Sequence, residues 1–248
     1  MLSVIFFEYI VTMIKVKIFR DIFANVLIAS MLIFMISLTY AGGVLNVFSS
    51  SDADPYYYGN TESNQVSLMI NVYWGTEFLE PMMDILKEKN VKVTFFVGGL
   101  WVSTNNELLE KMVEEGHEIG NHGFYHKDHK NLSLEKNQEE IYTTHQLVKT
   151  ITGIEMNLFA PPSGSFSNTT LQVAKNLGYK TIMWSKDTID WRDKNTALIV
   201  ERATKKGKGG DLILMHPTQN TLEALPTIID FYIQNNYNLT IVSQNIFL

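Results

Sequence analysis

Two histidines in this 248-residue chain have a spacing that suits metal chemistry. His122 and His126 are four residues apart, so both imidazoles can face one point if the segment turns helically. Two histidines, a carboxylate and an open position form the ligand pattern of a catalytic zinc ion. Taken alone, such a pair is more often found as structural or surface histidines than as a metal site. His129, three residues further on, is expected to be a solvated loop residue.

Composition narrows the kind of site that these histidines could form. The chain has no cysteine, which excludes disulfides, thiolate catalysis and cysteine-held zinc. A metal would therefore be held by His, Asp or Glu. The formal net charge is −6, so a dedicated nucleic-acid-binding protein is not expected. Hydrophobic residues make up 46% of the chain and charged residues 19%, which excludes a disordered polyelectrolyte.

From about Val66 onward, short apolar runs alternate with helical patterns. Seven strands separated by six helices predict an α/β fold with a parallel sheet. No G-x-G-x-x-G follows the first strand and no P-loop occurs, so the sequence favours a distorted (β/α) barrel of seven to eight parallel strands over a Rossmann sheet. The predicted strands are 66–72, 91–97, 117–121, 156–160, 179–184, 211–215 and 239–243, and the predicted helices are 77–90, 105–115, 133–153, 171–177, 196–206 and 221–236.

In such a barrel the chemistry belongs on the loops that follow the strands. Five of these loops hold most of the polar and aromatic residues expected of a cleft. They contain Asn71, Tyr73 and Trp74 after the first strand, His122 and His126 after the third, Pro161, Pro162 and Gly164 after the fourth, Asp187, Asp190 and Trp191 after the fifth, and His216 after the sixth.

The first part of the chain differs from this pattern. No charged residue occurs from 22 to 51, and Lys15, Lys17 and Arg20 precede an apolar run at 22–38. A basic flank before an apolar run predicts a membrane anchor or a secretion signal, with the basic end inside the cell. Small residues around Ala41 resemble a cleavage site, so a secreted domain released after Ala41 stays open as an alternative.

The predicted organisation therefore has four parts, and the last of them lies outside the cytoplasm. They are a cytoplasmic N-terminus at 1–21, a transmembrane anchor or signal segment at 22–41, a linker at 42–64 and a barrel domain at 65–248.

The order of the motifs resembles the polysaccharide deacetylase family, the NodB-homology domain of carbohydrate esterase family four. The resemblance spans 66–248 and rests on Gly-Asn-His with the second histidine four residues later, Pro-Pro-x-Gly, Asp-x-x-Asp-Trp and Leu-Met-His, in this order. It implies a divalent metal, usually zinc, and hydrolysis of N-acetyl groups on glycans such as peptidoglycan or chitin-like oligosaccharides. Trp74-Gly75 resembles the sporulation-associated branch of the family.

The resemblance assigns roles to individual residues. His122 and His126 match the metal-binding histidines, and His216 matches the general acid that protonates the leaving amine. Asp190, and less closely Asp187, matches the carboxylate that holds this acid. The residues expected to line the glycan groove are Tyr73, Trp74, Pro161, Pro162, Gly164 and Trp191.

Three positions depart from the family pattern. Asn71 stands where the family has its general base, Val72 where it has a metal-binding aspartate, and Ala160 where it has the arginine that orients the base. An amide cannot take a proton from water at neutral pH, and a valine cannot bind a metal. The base, the metal carboxylate and the orienting arginine are thus absent together.

Two hypotheses from different classes follow. The first is a weakened deacetylase whose metal is held by His122, His126 and a substitute carboxylate, with Asp128 or Glu77 nearest in sequence. The second is a non-catalytic, membrane-anchored pseudoenzyme that binds glycans. A carboxylate within bonding reach of both histidines would separate them.

Overall fold

The computed structural model describes residues 2–44 and 53–247, and the chain divides into two compact units between Asp52 and Ala53. The first unit is one helix, α1 (Leu2–Val44), so the predicted boundary between 1–21 and 22–41 falls inside a continuous helix. Within the residues described, no helix has both the length and the apolar character needed to cross a membrane. Residues 45–52 of the predicted linker lie outside the described residues.

The second unit is built on an eight-stranded sheet in which all described strand pairs are parallel. The strand order is β5-β4-β3-β2-β1-β7-β6, and β8 also pairs with β1. The predicted parallel α/β fold is confirmed, as a curled sheet that leaves β5 and β6 at its two ends. The strands are β1 (Gln65–Val72), β2 (Thr94–Val97), β3 (Glu118–Asn121), β4 (Leu158–Phe159), β5 (Lys180–Thr181), β6 (Lys186–Asp187), β7 (Leu212–Met215) and β8 (Asn238–Leu239).

Helices connect these strands and cover the outer face of the sheet. The longest of them in this unit begins at Ser133, whose hydroxyl accepts from the Lys136 backbone N–H, and ends at Gly153 in the left-handed region with φ 76°. The helices are α2 (Thr76–Glu88), α3 (Gly99–Val102), α4 (Asn106–Glu114), α5 (Leu134–Thr152), α6 (Asn168–Asn176), α7 (Thr196–Thr204), α8 (Gln219–Gln234) and α9 (Val242–Phe247).

Strand β1 pairs with β2, β7 and β8 and is buried at every position after Gln65. A strand covered on both faces reads as a continuous apolar run, which is why 66–72 is recognisable in the sequence. Its register pairs Asn71 with Phe96 and Val72 with Val97, and Val97 pairs in turn with Asn121. The carboxyl end of β1 therefore lies beside the loop that carries the two histidines.

The sequence analysis misses the short helix α3 and misassigns two further stretches. The run at 239–243 is predicted as a strand, but β8 ends at Leu239 and α9 begins at Val242, where the Val242 N–H donates to Thr94 Oγ1 at 2.8 Å. This side-chain acceptor ends the strand pairing and starts a helix. Strand β6, only two residues long, falls in a segment predicted as a loop.

Residues 54–64, which we call the strap, lie on the barrel. The Tyr56 N–H donates to Thr181 O at 2.9 Å, and the Met183 N–H donates back to Tyr56 O at 2.8 Å, so the strap pairs with the end strand β5. The Gly59 N–H donates to Gly210 O at 2.7 Å, and a Cβ at Gly59 would lie 2.1 Å from Asn245 Oδ1. The second half of the predicted linker is thus hydrogen-bonded to the domain.

Candidate functional site

A pocket of about 470 Å³ opens at the carboxyl ends of the strands. Most of the residues selected from the sequence line it, while Pro161 and Pro162 do not, and Asp190 lies behind His216. Three lining residues were not selected: Ser163, Trp184 and Leu214. The selected residues that line it are Asn71, Tyr73, Trp74, His122, His126, Gly164, Asp187, Trp191 and His216.

The histidine loop after β3 is fixed by side chains at its base. The Asn121 side chain accepts from the Gly123 N–H at 2.9 Å and donates to Ile141 O at 2.8 Å. Glu140 Oε2 accepts from the backbone N–H groups of Phe124 and Tyr125 at 2.8 and 2.7 Å. These hydrogen bonds attach the loop to α5 through Ile141 and Glu140. No periodic pattern in the sequence predicts them.

His122 and His126 meet at the floor of the pocket, with ring centroids 5.1 Å apart. His122 Nδ1 lies 2.7 Å from Ala160 O, and since a carbonyl only accepts, this nitrogen carries the proton. Burial lowers the pKa of His122 well below its ordinary value, and the nearby His126 lowers that pKa further. Burial likewise lowers the pKa of His126, so both rings are neutral at pH 7.

On the acid side of the pocket, which we define as His216, Asp190 and Thr221, both carboxylate oxygens of Asp190 are hydrogen-bonded. Asp190 Oδ1 accepts from His216 Nδ1 at 2.8 Å, and its Oδ2 accepts from the His216 backbone N–H and the Thr221 hydroxyl, both at 2.6 Å. The Trp74 ring stacks on the His216 imidazole, with the ring centroids 5.9 Å apart and an angle of 4° between the ring planes. The imidazole is thereby fixed in tautomer and orientation, with Nε2 as the ring nitrogen left for a ligand.

The loop that carries Asp187 and Asp190 contains a strained residue. Ile189 has φ 53°, in the left-handed region that a β-branched side chain disfavours. The Ile189 N–H donates to Asp187 Oδ1 at 2.8 Å, which closes the turn and places Asp187 in the pocket lining. Strain of this kind costs about 1–3 kcal/mol, persists only where the surroundings impose it and is typical of ligand-binding loops.

The base side of the pocket, which we define as Asn71, Val72 and Ala160, is differently built. All three residues are buried. Asn71 Oδ1 has no hydrogen-bond donor among the described residues, and the other two side chains are apolar. No group on this side can accept a proton from water at neutral pH or supply an anionic ligand.

A metal centre of the kind implied by the resemblance does not fit these residues. The proposed substitutes are engaged elsewhere: Asp128 bonds the Ser165 hydroxyl and Asn131 Nδ2, and Glu77 lines a separate cleft beside α4. The expectation that either completes the site is wrong. Within residues 2–44 and 53–247, no three or more His, Cys, Asp or Glu side chains are grouped to hold a metal ion.

His129 is also placed differently from the sequence expectation. It is completely buried instead of solvated, with Nδ1 2.8 Å from Asn137 Oδ1 and its ring 5.1 Å from Phe159. Burial lowers its pKa. These two neighbours, Asn137 and Phe159, come from α5 and β4, so the local sequence carries no signal of its burial.

Comparison with known proteins identifies the family of this barrel. Residues 58–182 match the polysaccharide deacetylase family. The chain is 38% identical to YlxY of Bacillus subtilis over 79% of its own length, and it spans 61% of YlxY, less than two thirds. It is 31% identical to the B. subtilis peptidoglycan-N-acetylmuramic acid deacetylase PdaA, over 78% of this chain and 76% of PdaA.

Solved structures give the same result. The crystal structure of BA3943, a CE4 family pseudoenzyme from Bacillus anthracis, superposes with a TM-score of 0.76 at 35% identity, covering 78% of this chain and 69% of that one. A mutant of BA3943 described as having restored enzymatic activity superposes equally well, at 34% identity over 78% of this chain and 71% of that one. The chain belongs to the polysaccharide deacetylase family.

Proposed function

We propose that the barrel binds a cell-wall glycan in the pocket without hydrolysing its N-acetyl groups at the rate of catalytic relatives. The observation that carries the proposal is the base side, where Asn71 and Val72 occupy the places of the base and of the metal carboxylate. General base catalysis contributes about 10²–10⁴-fold, and its loss alone would reduce turnover by that factor. The family's deacetylases are metal-dependent, and two neutral imidazoles without an anionic ligand would hold zinc weakly.

The retained parts of the pocket support binding. Trp74 and Trp191 expose 44% and 56% of their surface at the pocket, which suits stacking on sugar rings. The strained Ile189 turn keeps Asp187 in the lining at an energetic cost. Backbone strain of this kind is expected where a loop must hold a side chain for ligand binding, and it is not expected in a barrel that has only a structural role.

A weakened deacetylase is the second candidate, and one observation favours it. Asp190 and His216 keep the geometry of a carboxylate–imidazole pair able to donate a proton to a leaving amine. This pair has no nucleophile to work with unless water is activated in another way. The two candidates differ in turnover.

Acetate release by the full-length chain in detergent tests the proposal. With zinc supplied and acetylated chito-oligosaccharide or peptidoglycan as substrate, we expect release close to the uncatalysed rate. Robust turnover that His122→Ala abolishes would overturn it. Zinc content after native purification is the matching measurement, and we expect well below one equivalent per chain.

Location is part of the proposal: residues 22–41 tether the barrel to the membrane, and the domain lies outside the cytoplasm. Large apolar side chains such as Phe23, Leu27 and Phe34 are 48–63% exposed on α1. The charge-free stretch and the preceding Lys15, Lys17 and Arg20 suit a bilayer with the basic end inside. Recovery in the soluble fraction after alkaline extraction would contradict anchoring and would favour release after Ala41.

Peptidoglycan is the glycan that we propose as the partner. PdaA, by its name, acts on peptidoglycan, and it resembles this chain over most of both lengths. A role in spore formation is a narrower proposal that rests on Trp74-Gly75 alone, and expression confined to vegetative growth would contradict it.

A further inference from the structure

The lining of the pocket is acidic, although Arg192, which is ion-paired with Asp193, also interacts electrostatically with Asp187 from outside the lining. Asp187 lines the pocket and Asp190 lies directly behind His216, while no Lys or Arg is found among the described residues that form the lining. Ala160 occupies the place where the resemblance expects an arginine. A ligand that brings positive charge would therefore gain from this electrostatic potential.

The hydrogen bonds that two pocket histidines already make determine which of their ring nitrogens remain for a ligand. His122 Nδ1 donates to Ala160 O and His216 Nδ1 donates to Asp190 Oδ1. His122 Nε2 is therefore left as an acceptor, and neither His122 Nε2 nor His216 Nε2 has a partner among the described residues.

This acceptor discriminates between two forms of an amino sugar. An acetamido group offers one N–H and a carbonyl oxygen, and at His122 Nε2 that oxygen would meet an acceptor where a metalloenzyme presents a cation. A primary ammonium offers three N–H donors and a positive charge. Trp74, which also lines the pocket, has an exposed aromatic ring that can attract a cation.

We infer that the pocket prefers a primary ammonium group, so that the chain recognises amino-sugar residues from which the acetyl group has already been removed. This inference rests on the proposed glycan binding and narrows its ligand to the deacetylated form. The chain would then act after a deacetylation reaction, by binding the product of that reaction.

Calorimetric titration of the chelator-treated, full-length chain in detergent tests this inference. The probes are a tetramer of β-1,4-linked N-acetylglucosamine and the same tetramer fully deacetylated, both in 0.15 M and 0.5 M salt. We expect the deacetylated tetramer to bind about tenfold more tightly, the size of one charge-assisted hydrogen bond. The higher salt concentration screens unspecific attraction to the chain's net charge of −6.

Asp187→Asn is the informative variant, because an asparagine oxygen can still accept from the Ile189 N–H while the negative charge is lost. We expect its preference for the deacetylated tetramer to fall to about threefold or less, since that charge supplies the charge-assisted part of the binding. Asp84→Asn is the matched control, since Asp84 is exposed on α2 and does not line the pocket. A melting curve of each variant verifies folding.

Each other outcome has a separate meaning. Equal or tighter binding of the acetylated tetramer overturns the inference but leaves glycan binding intact. Binding of neither tetramer overturns the proposed function as well. A preference that appears only with added zinc assigns it to a metal, and a preference that Asp187→Asn and Asp84→Asn reduce equally assigns it to net charge. Both of these results also overturn the inference.

Discussion

The acid side and the base side of the pocket lie in the same barrel but differ in how completely their polar atoms are satisfied. On the acid side, the two Asp190 oxygens accept three hydrogen bonds from His216 and Thr221. On the base side, Asn71 Oδ1 is buried without a donor among the described residues. The fold therefore keeps a hydrogen-bonded imidazole–carboxylate pair on one side of a pocket whose other side has no group that could activate water.

Restoring the base side should produce the largest effect. The triple substitution Asn71→Asp, Val72→Asp and Ala160→Arg returns a base, a metal carboxylate and an orienting cation to the floor of the pocket. With zinc supplied, we expect acetate release to rise by about 10²–10⁴-fold over the unsubstituted chain. The measurement is the initial rate of acetate release from an acetylated chito-oligosaccharide.

Two controls sharpen this result. His122→Ala in the triple variant should abolish the gain, because a metal would again lack a protein ligand. Ala160→Arg alone should give no gain, since an arginine has no base to orient. A triple variant that folds and binds zinc but stays inactive would contradict the comparison, because it would show that the acid side cannot supply the general acid.

The second largest effect is expected on stability, from Asp190→Asn. An asparagine amide group would point N–H donors at His216 or Thr221, leaving buried donors unsatisfied. We expect the free energy of unfolding to fall by about 3 kcal/mol, as for other buried networks of this kind. Urea denaturation of the full-length chain measures this loss.

Asn71→Ala is the matched change on the base side. Its Oδ1 makes no hydrogen bond with the described residues, so its removal should change the free energy of unfolding by less than about 1 kcal/mol. Equal losses for Asp190→Asn and Asn71→Ala would show that the two sides do not differ in the way described.

The smallest expected effect is on the pH dependence of the free energy of unfolding, and it comes from His129 in the loop that follows β3. Burial lowers the pKa of His129 from 6.5, so the unfolded chain binds a proton there at a pH where the folded chain does not. The free energy of unfolding should therefore be highest above about pH 6.5 and should decrease as the pH falls below it. His129→Gln should reduce that slope by at most about 1.4 kcal/mol per pH unit.

Denaturation curves between pH 7.5 and pH 5 check the sign as well as the size. A slope that His129→Gln leaves unchanged would assign the acid sensitivity to other groups. Greater stability at pH 5 than at pH 7.5 would contradict a neutral buried imidazole altogether.

Much of the fold and of the site could be predicted because the relevant patterns are local. The buried run of β1 and the glycine that ends α5 are visible in the chain, and so is the order of the pocket loops. The substitutions at Asn71, Val72 and Ala160 are equally visible, since a motif fixes which residue type is expected at each place.

What the sequence could not supply depends on contacts between distant segments. Asp128 is only two residues from His126, yet its oxygens are taken by Ser165 and Asn131. Trp184 falls inside the predicted strand 179–184, but β5 stops at Thr181 and Trp184 lines the pocket. Strand β6 has two residues, too few for any periodicity to register.

The strap gives the barrel a defined mechanical path. The chain from residue 53 reaches the rest of the domain through the Tyr56 pairing with β5 and the Gly59 contact with Gly210, before it enters β1. Tension applied from the N-terminal side would act on these few hydrogen bonds one after another. The hydrogen bonds of β1 would carry the force only after the strap bonds had broken. A pull would therefore uncover the edge of β5 first, at a force well below the one that unravels the central strands.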